Sequence, residues 1–295
     1  MTQKTSSISA RSAGTVTLGG DLTVNRLGYG AMRLTGSGIW GPPKDRAEAI
    51  AVLRRAVELD VNFIDTADSY GPYVSEEIIG EALAPYREGV VVATKGGWER
   101  CGPNQWIHNA SPRHLREAVE GSLRRLRLER IDVYYYHVPD PAVSLEASMD
   151  ALAEMQAQGK IRHIALSNVT REHIERARRL VPIVSVQNRY SFADREWDYV
   201  LDYCTQQGIV FVPWAPMRAV PGTQEVLQSI ARAHGVSELA IALAWLLGRA
   251  PNTLLIPGTS SVKHLEENVS AASLELSADE FERLSAIAPP PASLR

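Results

Sequence analysis

Residues 15–27 alternate apolar and polar side chains on either side of Gly19-Gly20-Asp21, the spacing of a short hairpin. Beyond it one theme recurs. A short β-branched or aromatic run is followed by a polar loop, then by ten or more residues whose apolar positions fall at helical spacing. Eight such runs predict strands at 26–30, 62–65, 90–95, 131–137, 161–167, 183–187, 209–214 and 253–257. Helical patterns separate them at 45–59, 75–83, 112–126, 145–158, 171–180, 196–206 and 239–247, and a last helix starts near Val262. Ser111 before Pro112 reads as an N-cap with proline at the first helical position, and Gly159 and Gly208 stand where C-terminal caps belong. Strands alternating with helices imply a parallel sheet with crossovers. Eight units favour an α/β fold closed into a (β/α)8 TIM barrel, capped at one end by the N-terminal β-hairpin.

Composition narrows the picture. A chain of 295 residues suits one barrel domain, spanning 15–295, behind a polar, Ser/Thr-rich segment 1–14 that reads as a disordered tail. The formal net charge of -3 gives no electrostatic reason to expect nucleic acid or an anionic membrane as partner, and a small molecule fits better. The two cysteines, Cys101 and Cys204, are too few for a disulfide framework and match no ligand spacing, so no metal is expected and a reducing, cytoplasmic location is. The longest apolar stretch, 239–247, falls far short of the roughly 20 residues a membrane span needs. A monomer is the expected state.

In closed barrels of this kind the chemistry lies at the C-terminal strand ends. There the second strand ends in Asp65 and runs into a loop carrying Tyr70, the third ends in Lys95 and the fourth in His137. Singly, each has a plainer reading: a turn residue, a loop cover, a solvated charge, a packed imidazole. Together at one mouth they form a constellation suited to carbonyl reduction. A phenol can protonate the carbonyl oxygen if its pKa is lowered, and a neighbouring ammonium lowers it. Three units would require about 4 kcal/mol of preferential interaction with the tyrosinate. Asp65 would anchor Lys95, and His137 would orient or polarise the oxygen. Trp40, Tyr73, Trp98 and Trp106 lie in the loops after the first three strands, where they either wall a pocket for flat or apolar substrates or cover the rim.

A competing signal, Gly36-Ser-Gly-Ile-Trp-Gly41, matches the Gly-x-Gly-x-x-Gly pattern of dinucleotide sites, but its last glycine runs into Pro42-Pro43 instead of opening a helix. It reads as a mobile rim loop. The chain also lacks a Tyr-x-x-x-Lys pair and a His-Glu-x-x-His motif.

The segments Phe63-Ile-Asp-Thr-Ala-Asp-Ser-Tyr-Gly71, Val91-Val-Ala-Thr-Lys95 and Tyr134-Tyr-Tyr-His137 resemble, in order and spacing, the Asp, Tyr, Lys and His tetrad segments of the aldo-keto reductases. The similarity continues through Gly159-Lys-Ile-Arg-His-Ile-Ala-Leu-Ser-Asn168, Val186-Gln-Asn188, Val212-Pro-Trp-Ala-Pro216, Ile256-Pro-Gly-Thr-Ser-Ser261 and Glu266-Glu-Asn268. It implies reduction of an aldehyde or ketone with NADPH, NADH being the lesser alternative. By the same resemblance Asp65, Ser167, Asn168 and Gln187 lie at the nicotinamide, Trp214 stacks on its ring, and Ala31, Met32, Ala215, Pro216, Met217 and Arg218 extend the cofactor site. Gly258, Thr259, Ser260 and His264 fall at the adenosine-phosphate segment, with Glu267 and Asn268 at the adenine. The chain departs from well-known members where Gly258 replaces a lysine and His264 an arginine that would grip the 2′-phosphate; Lys263 and Arg218 are possible substitutes. Asn25-Arg-Leu-Gly-Tyr-Gly-Ala-Met-Arg33 and Gly41-Pro-Pro43 resemble bacterial members of the family associated with pyridoxal reduction. Two other readings stay open: a cofactor-binding regulatory subunit of channel-beta type, and an NAD-dependent sugar or polyol dehydrogenase.

Overall fold

The computed structural model describes residues 8–217 and 224–288. Seven parallel strands form one curved sheet in the order β11-β10-β9-β8-β5-β4-β3. They are β3 (Tyr29–Gly30), β4 (Phe63–Asp65), β5 (Val91–Gly96), β8 (Ile131–Tyr136), β9 (Ile161–Ser167), β10 (Ile183–Arg189) and β11 (Val210–Trp214). The eighth predicted strand, 253–257, forms isolated bridges on both sides instead of a ladder: Leu27 pairs with Leu255, and Phe211 with Thr253. Gly28 N–H donates to the Leu255 carbonyl at 2.7 Å and Leu254 N–H to the Phe211 carbonyl at 2.9 Å, so this segment joins the two sheet edges and closes the ring.

Side chains alternate between the two faces of each strand, and the burial follows. Phe63, Val91, Ala93, Val133, Tyr135, Ala165, Val210, Val212 and Leu254 pack together inside the barrel. The intervening residues face the helices: Ile64, Val92, Tyr134, Leu166 and Phe211 belong to the layers between strands and helices. The hairpin predicted at the N-terminus is present as β1 (Thr15–Leu18) and β2 (Leu22–Asn25), and its Val16, Leu18, Leu22 and Val24 join the interior cluster. It plugs one mouth.

The helices fit the same logic. In α1 (Arg46–Glu58) the Asp45 carboxylate accepts from Glu48 N–H as N-cap, and Ala49, Val52, Leu53 and Ala56 make the buried stripe. The remaining barrel helices are α2 (Val74–Leu83), α3 (Pro112–Leu126), α4 (Leu145–Ala157), α5 (Arg171–Ala177), α6 (Asp198–Gln207), α8 (Glu238–Arg249) and α9 (Val262–Ser270). As expected, Ser111 caps α3 ahead of Pro112 and Gly208 ends α6 in the left-handed region. Two helices escape the periodicity argument: α7 (Gln224–His234) and α10 (Ala278–Ser285), which pack beside α8. The second carries its own signal, a reciprocal capping box between Ser277 and Glu280. No single helix among the described residues is long and apolar enough to cross a membrane.

The reading of residues 1–14 as a disordered tail does not hold for its described part. Ala10–Ala13 forms a 3-10 turn capped by Ser9, whose hydroxyl donates to Asp60 at 2.7 Å, while Ala10 N–H bonds the Leu59 carbonyl. Ala10 and Ala13 are buried against the end of α1. Small apolar residues sufficed to dock a segment whose polar neighbours dominated its composition.

Candidate active site

The open mouth is built by the strand ends, because the alternation that buries Phe63, Ala93 and Tyr135 carries Asp65, Lys95 and His137 inward one step further along. Lys95 Nζ donates to Asp65 Oδ2 at 2.6 Å and to the Thr66 carbonyl at 2.8 Å, and lies 3.4 Å from Tyr70 Oη. Gln187 Nε2 donates to the other Asp65 oxygen at 2.9 Å. Lys95 is fully buried, Asp65 nearly so, and Tyr70 and His137 keep a thin edge of exposure. The Tyr70 and His137 rings meet edge to face, centroids 6.0 Å apart. Removing one member of a buried ion pair typically costs about 3–5 kcal/mol, so Asp65 and Lys95 are mutually required.

Electrostatics revise the expectation of a lowered phenol pKa. Burial is the larger influence on Tyr70 and raises it above the ordinary value; Lys95 pulls it down, but Asp65 offsets that pull. The phenol is held protonated, as a proton donor must be. Burial opposes the Lys95 ammonium, yet the Asp65 carboxylate and Tyr70 leave it above its usual range. Burial, reinforced by the Lys95 charge, holds the His137 imidazole well below 6.5, hence neutral. Its Nδ1 is buried without a partner.

Trp98 reaches His137 with ring centroids 6.4 Å apart and meets Trp106 at 5.7 Å, so these rings stand beside the tetrad. They sit on an unpredicted hairpin, β6 (Trp98–Gly102) and β7 (Gln105–His108). Trp40 joins them through Arg100, whose guanidinium lies 3.8 Å from the Trp106 ring centroid and 5.7 Å from that of Trp40. Tyr73 does not join this wall. It is half exposed, and its ring lies 4.2 Å from the Arg125 guanidinium of α3.

Sequence reasoning also missed a buried polar cluster behind Tyr70, on the outer face of β5. Thr94 Oγ1 donates to Glu76 Oε1 at 2.5 Å and Arg125 Nε to Glu76 Oε2 at 2.7 Å. Burial, and then the Glu76 charge, push Asp68 well above the carboxylate range. The signal available was Glu76 on the apolar face of a helix, a position that demands a partner.

The candidate cofactor residues lie along the same mouth. Ser167 and Gln187 are buried, and Asn168, in the left-handed region at φ 58°, donates from Nδ2 to Ser167 Oγ and to the His137 carbonyl, both at 3.0 Å. Trp214 ends β11, with Ala215, Pro216 and Met217 following; Arg218 lies outside the described residues. Ala31 and Met32 begin the 3-10 turn after β3. At the other end Thr259 and Asn268 are buried, while Ser260, Lys263 and His264 are exposed. The donor set fits a nicotinamide dinucleotide: amides and hydroxyls at the strand ends, and hydroxyls at the N-terminus of α9, where Ser261 makes no side-chain cap of its own. Gly258 has a local cause, since a Cβ there would sit 2.5 Å from the Gly30 carbonyl oxygen. One group is dissonant: Glu48 Oε1 already accepts from Val262 N–H at 3.0 Å.

Comparison with known proteins decides the lineage. The model of the aldo/keto reductase family matches residues 26–222 and 220–289. The chain belongs to the aldo/keto reductase family. It is 47% identical over 283 residues to the pyridoxine 4-dehydrogenase of Escherichia coli, covering 94% of this chain and 99% of that protein. It is 48% identical over 287 residues to an uncharacterized oxidoreductase of Schizosaccharomyces pombe, covering 96% and 92%. Among solved structures, an aldo-keto reductase from Klebsiella pneumoniae in complex with NADPH superposes with a TM-score of 0.81 at 27% identity, covering 94% of this chain and 96% of that one. As an aldo/keto reductase the chain is an oxidoreductase of the carbonyl–alcohol pair.

Proposed function

We propose that this aldo/keto reductase reduces the aldehyde of a pyridoxal-like substrate to the alcohol with NADPH, Tyr70 supplying the proton. One observation carries the reading: a fully buried ammonium, Lys95, bridges Asp65 and Tyr70 beneath a mouth walled by His137 and Trp98. Ser167, Asn168, Gln187 and Trp214 at one end and Thr259, Ser260, Ser261, Glu267 and Asn268 at the other would hold the nicotinamide cofactor, which when bound would supply hydride to the carbonyl carbon. Tyr70, protonated because burial raises its pKa, gives its proton to the oxygen as negative charge grows there. Lys95 then stabilises the tyrosinate, and Asp65 keeps Lys95 charged and aimed. Neutral His137 offers an N–H to the same oxygen. Trp98 and Trp106 fit a flat ring. The substrate assignment is supported by the likeness to pyridoxine 4-dehydrogenase and by this aromatic wall. We further propose a cytoplasmic monomer.

The test is absorbance loss at 340 nm with NADPH against pyridoxal, aromatic aldehydes and small ketones. Turnover with pyridoxal above the other substrates is expected; none with any substrate, despite NADPH binding, would return the regulatory-subunit reading. Glu48 at the start of α9 favours NADH as a second reading, because a carboxylate there repels a 2′-phosphate. A higher kcat/KM with NADH than with NADPH would select it.

A further inference from the structure

The rim loop around Gly38 is tied to its neighbours through Arg100. All five of its N–H groups are used, each on a different backbone carbonyl. Nε donates to Gln105 at 3.0 Å, one terminal nitrogen to Ile39 and Ser69 at 2.9 Å, and the other to Gly38 at 2.9 Å and Gly102 at 3.3 Å. These carbonyls belong to three loops: the rim loop after β3, the loop carrying Tyr70, and the β6–β7 hairpin.

The Tyr70 backbone is thereby held on both sides. Arg100 grips the carbonyl of Ser69, just before it. Just after it, Gly71 N–H donates to the Ile39 carbonyl, and Gly71 accepts from Gly41 N–H at 2.6 Å. Ile39 itself sits in the left-handed region at φ 56°, a conformation a β-branched residue adopts only when neighbours impose it, and Arg100 bonds the carbonyls of Ile39 and of Gly38 before it. The flat guanidinium also lies against the Trp106 ring, so the same side chain that grips the acid's loop seats the aromatic wall.

We propose that Arg100 is a positioning residue that fixes Tyr70 relative to the substrate wall, making proton donation and ring recognition one unit. The inference rests on Tyr70 being the acid. A lysine in its place has three donors and no planar fork, so it leaves carbonyls unbonded and the Trp106 face uncovered.

The experiment is a kinetic cycle with Arg100→Ala, Arg100→Lys, Tyr70→Phe and the Tyr70→Phe/Arg100→Ala double variant, using NADPH with pyridoxal and with propanal. Displacing a reacting group by about an ångström costs on the order of 100-fold, so Arg100→Ala should lower kcat about 10- to 100-fold for both aldehydes. KM should rise for pyridoxal only, with NADPH affinity within about twofold of the parent, and Arg100→Lys should recover only part of the loss. In the cycle the double variant should be no slower than Tyr70→Phe alone, the signature of two residues acting as one. Additive losses, full rescue by lysine, or unchanged kcat per folded molecule each overturn the proposal. If Arg100→Ala does not fold, Arg100→Lys carries the same cycle. A Tyr70→Phe variant with parental turnover removes the acid assignment itself, an outcome recognisable without reference to Arg100.

Discussion

Two hairpins stand at the two ends of this barrel, and they are built on opposite terms. The β1–β2 hairpin turns Val16, Leu18, Leu22 and Val24 into the barrel and exposes the residues between them. The β6–β7 hairpin buries only Gly102 and spreads Trp98, Arg100, Trp106 and His108 over a half-open face, held by ring contacts and by Arg100. The first is a plug whose cohesion is aliphatic burial. The second is a frame whose cohesion is polar and aromatic, and it stands beside the reacting groups. The contrast separates stability at one mouth from chemistry at the other.

The largest effect that could break this separation is at Tyr70. Loss of a positioned general acid typically costs 10²–10⁴-fold, so Tyr70→Phe should lower kcat by about that much, read at saturating NADPH and aldehyde. The midpoint of urea unfolding should stay near the parent's, because the phenyl ring keeps its packing and only the 3.4 Å contact to Lys95 is lost. A kcat within tenfold of the parent would take the acid role from Tyr70.

The same contrast explains what could be read in the chain and what could not. The plug was legible because an aliphatic alternation has one meaning, burial on one face of a strand. So were the eight strand positions and the convergence of Asp65, Lys95 and His137, which continue that alternation to the strand ends, whereas Tyr70 reaches them from the loop after β4. The frame was not legible as a hairpin: Trp98, Arg100, Trp106 and His108 share a face by cross-strand pairing, but an arginine among aromatics does not register as a hydrophobic period. The electrostatics of Tyr70 were misjudged for a related reason. Lys95 was visible in the sequence, whereas the burial that outweighs it arises only when eight strands converge. The role of Arg100 depends on carbonyls from three loops and has no sequence signature.

At the plug, Leu18→Ala tests the opposite corner. Leu18 is fully buried, and truncating such a leucine costs about 2–5 kcal/mol through lost burial and the cavity left behind. The unfolding midpoint in urea should drop accordingly while kcat per folded molecule is unchanged. A fall in kcat comparable to the stability loss would show that the two ends are coupled through the barrel.

A smaller effect is expected at the plug's tip. Asp21 pairs with Arg162 at 2.8 Å and His163 at 2.6 Å on β9, and Gly19 is required there because a Cβ would collide with the His163 ring. Hydrogen bonds from Arg162 and His163 lower the Asp21 pKa below 3.8. The stability this carboxylate adds is therefore present above pH 3.8 and lost as pH falls through the lower, folded-state value. The pair is half exposed, so solvent screening limits it to about 1 kcal/mol or less. Asp21→Asn should lose that amount at neutral pH in urea titrations, and its difference from the parent should shrink in acid. An undiminished difference at low pH would mean that the tip is held by packing.

The smallest expected change is in the pH profile of the frame's own chemistry. With Tyr70 and His137 in the proposed roles, reduction requires Tyr70 protonated, a condition met below its pKa, and burial moves that pKa above 10.0. It also requires His137 neutral, a condition met above its pKa, which burial and Lys95 hold well below 6.5. Both limbs therefore lie outside the interval between those values, and kcat/KM for aldehyde reduction should vary by less than about twofold within it. Had Lys95 dominated Tyr70, the alkaline limb would fall near neutrality. A limb found there would show that binding strengthens the Lys95 contact beyond 3.4 Å, making the frame a site that tightens on binding while the plug stays as it is.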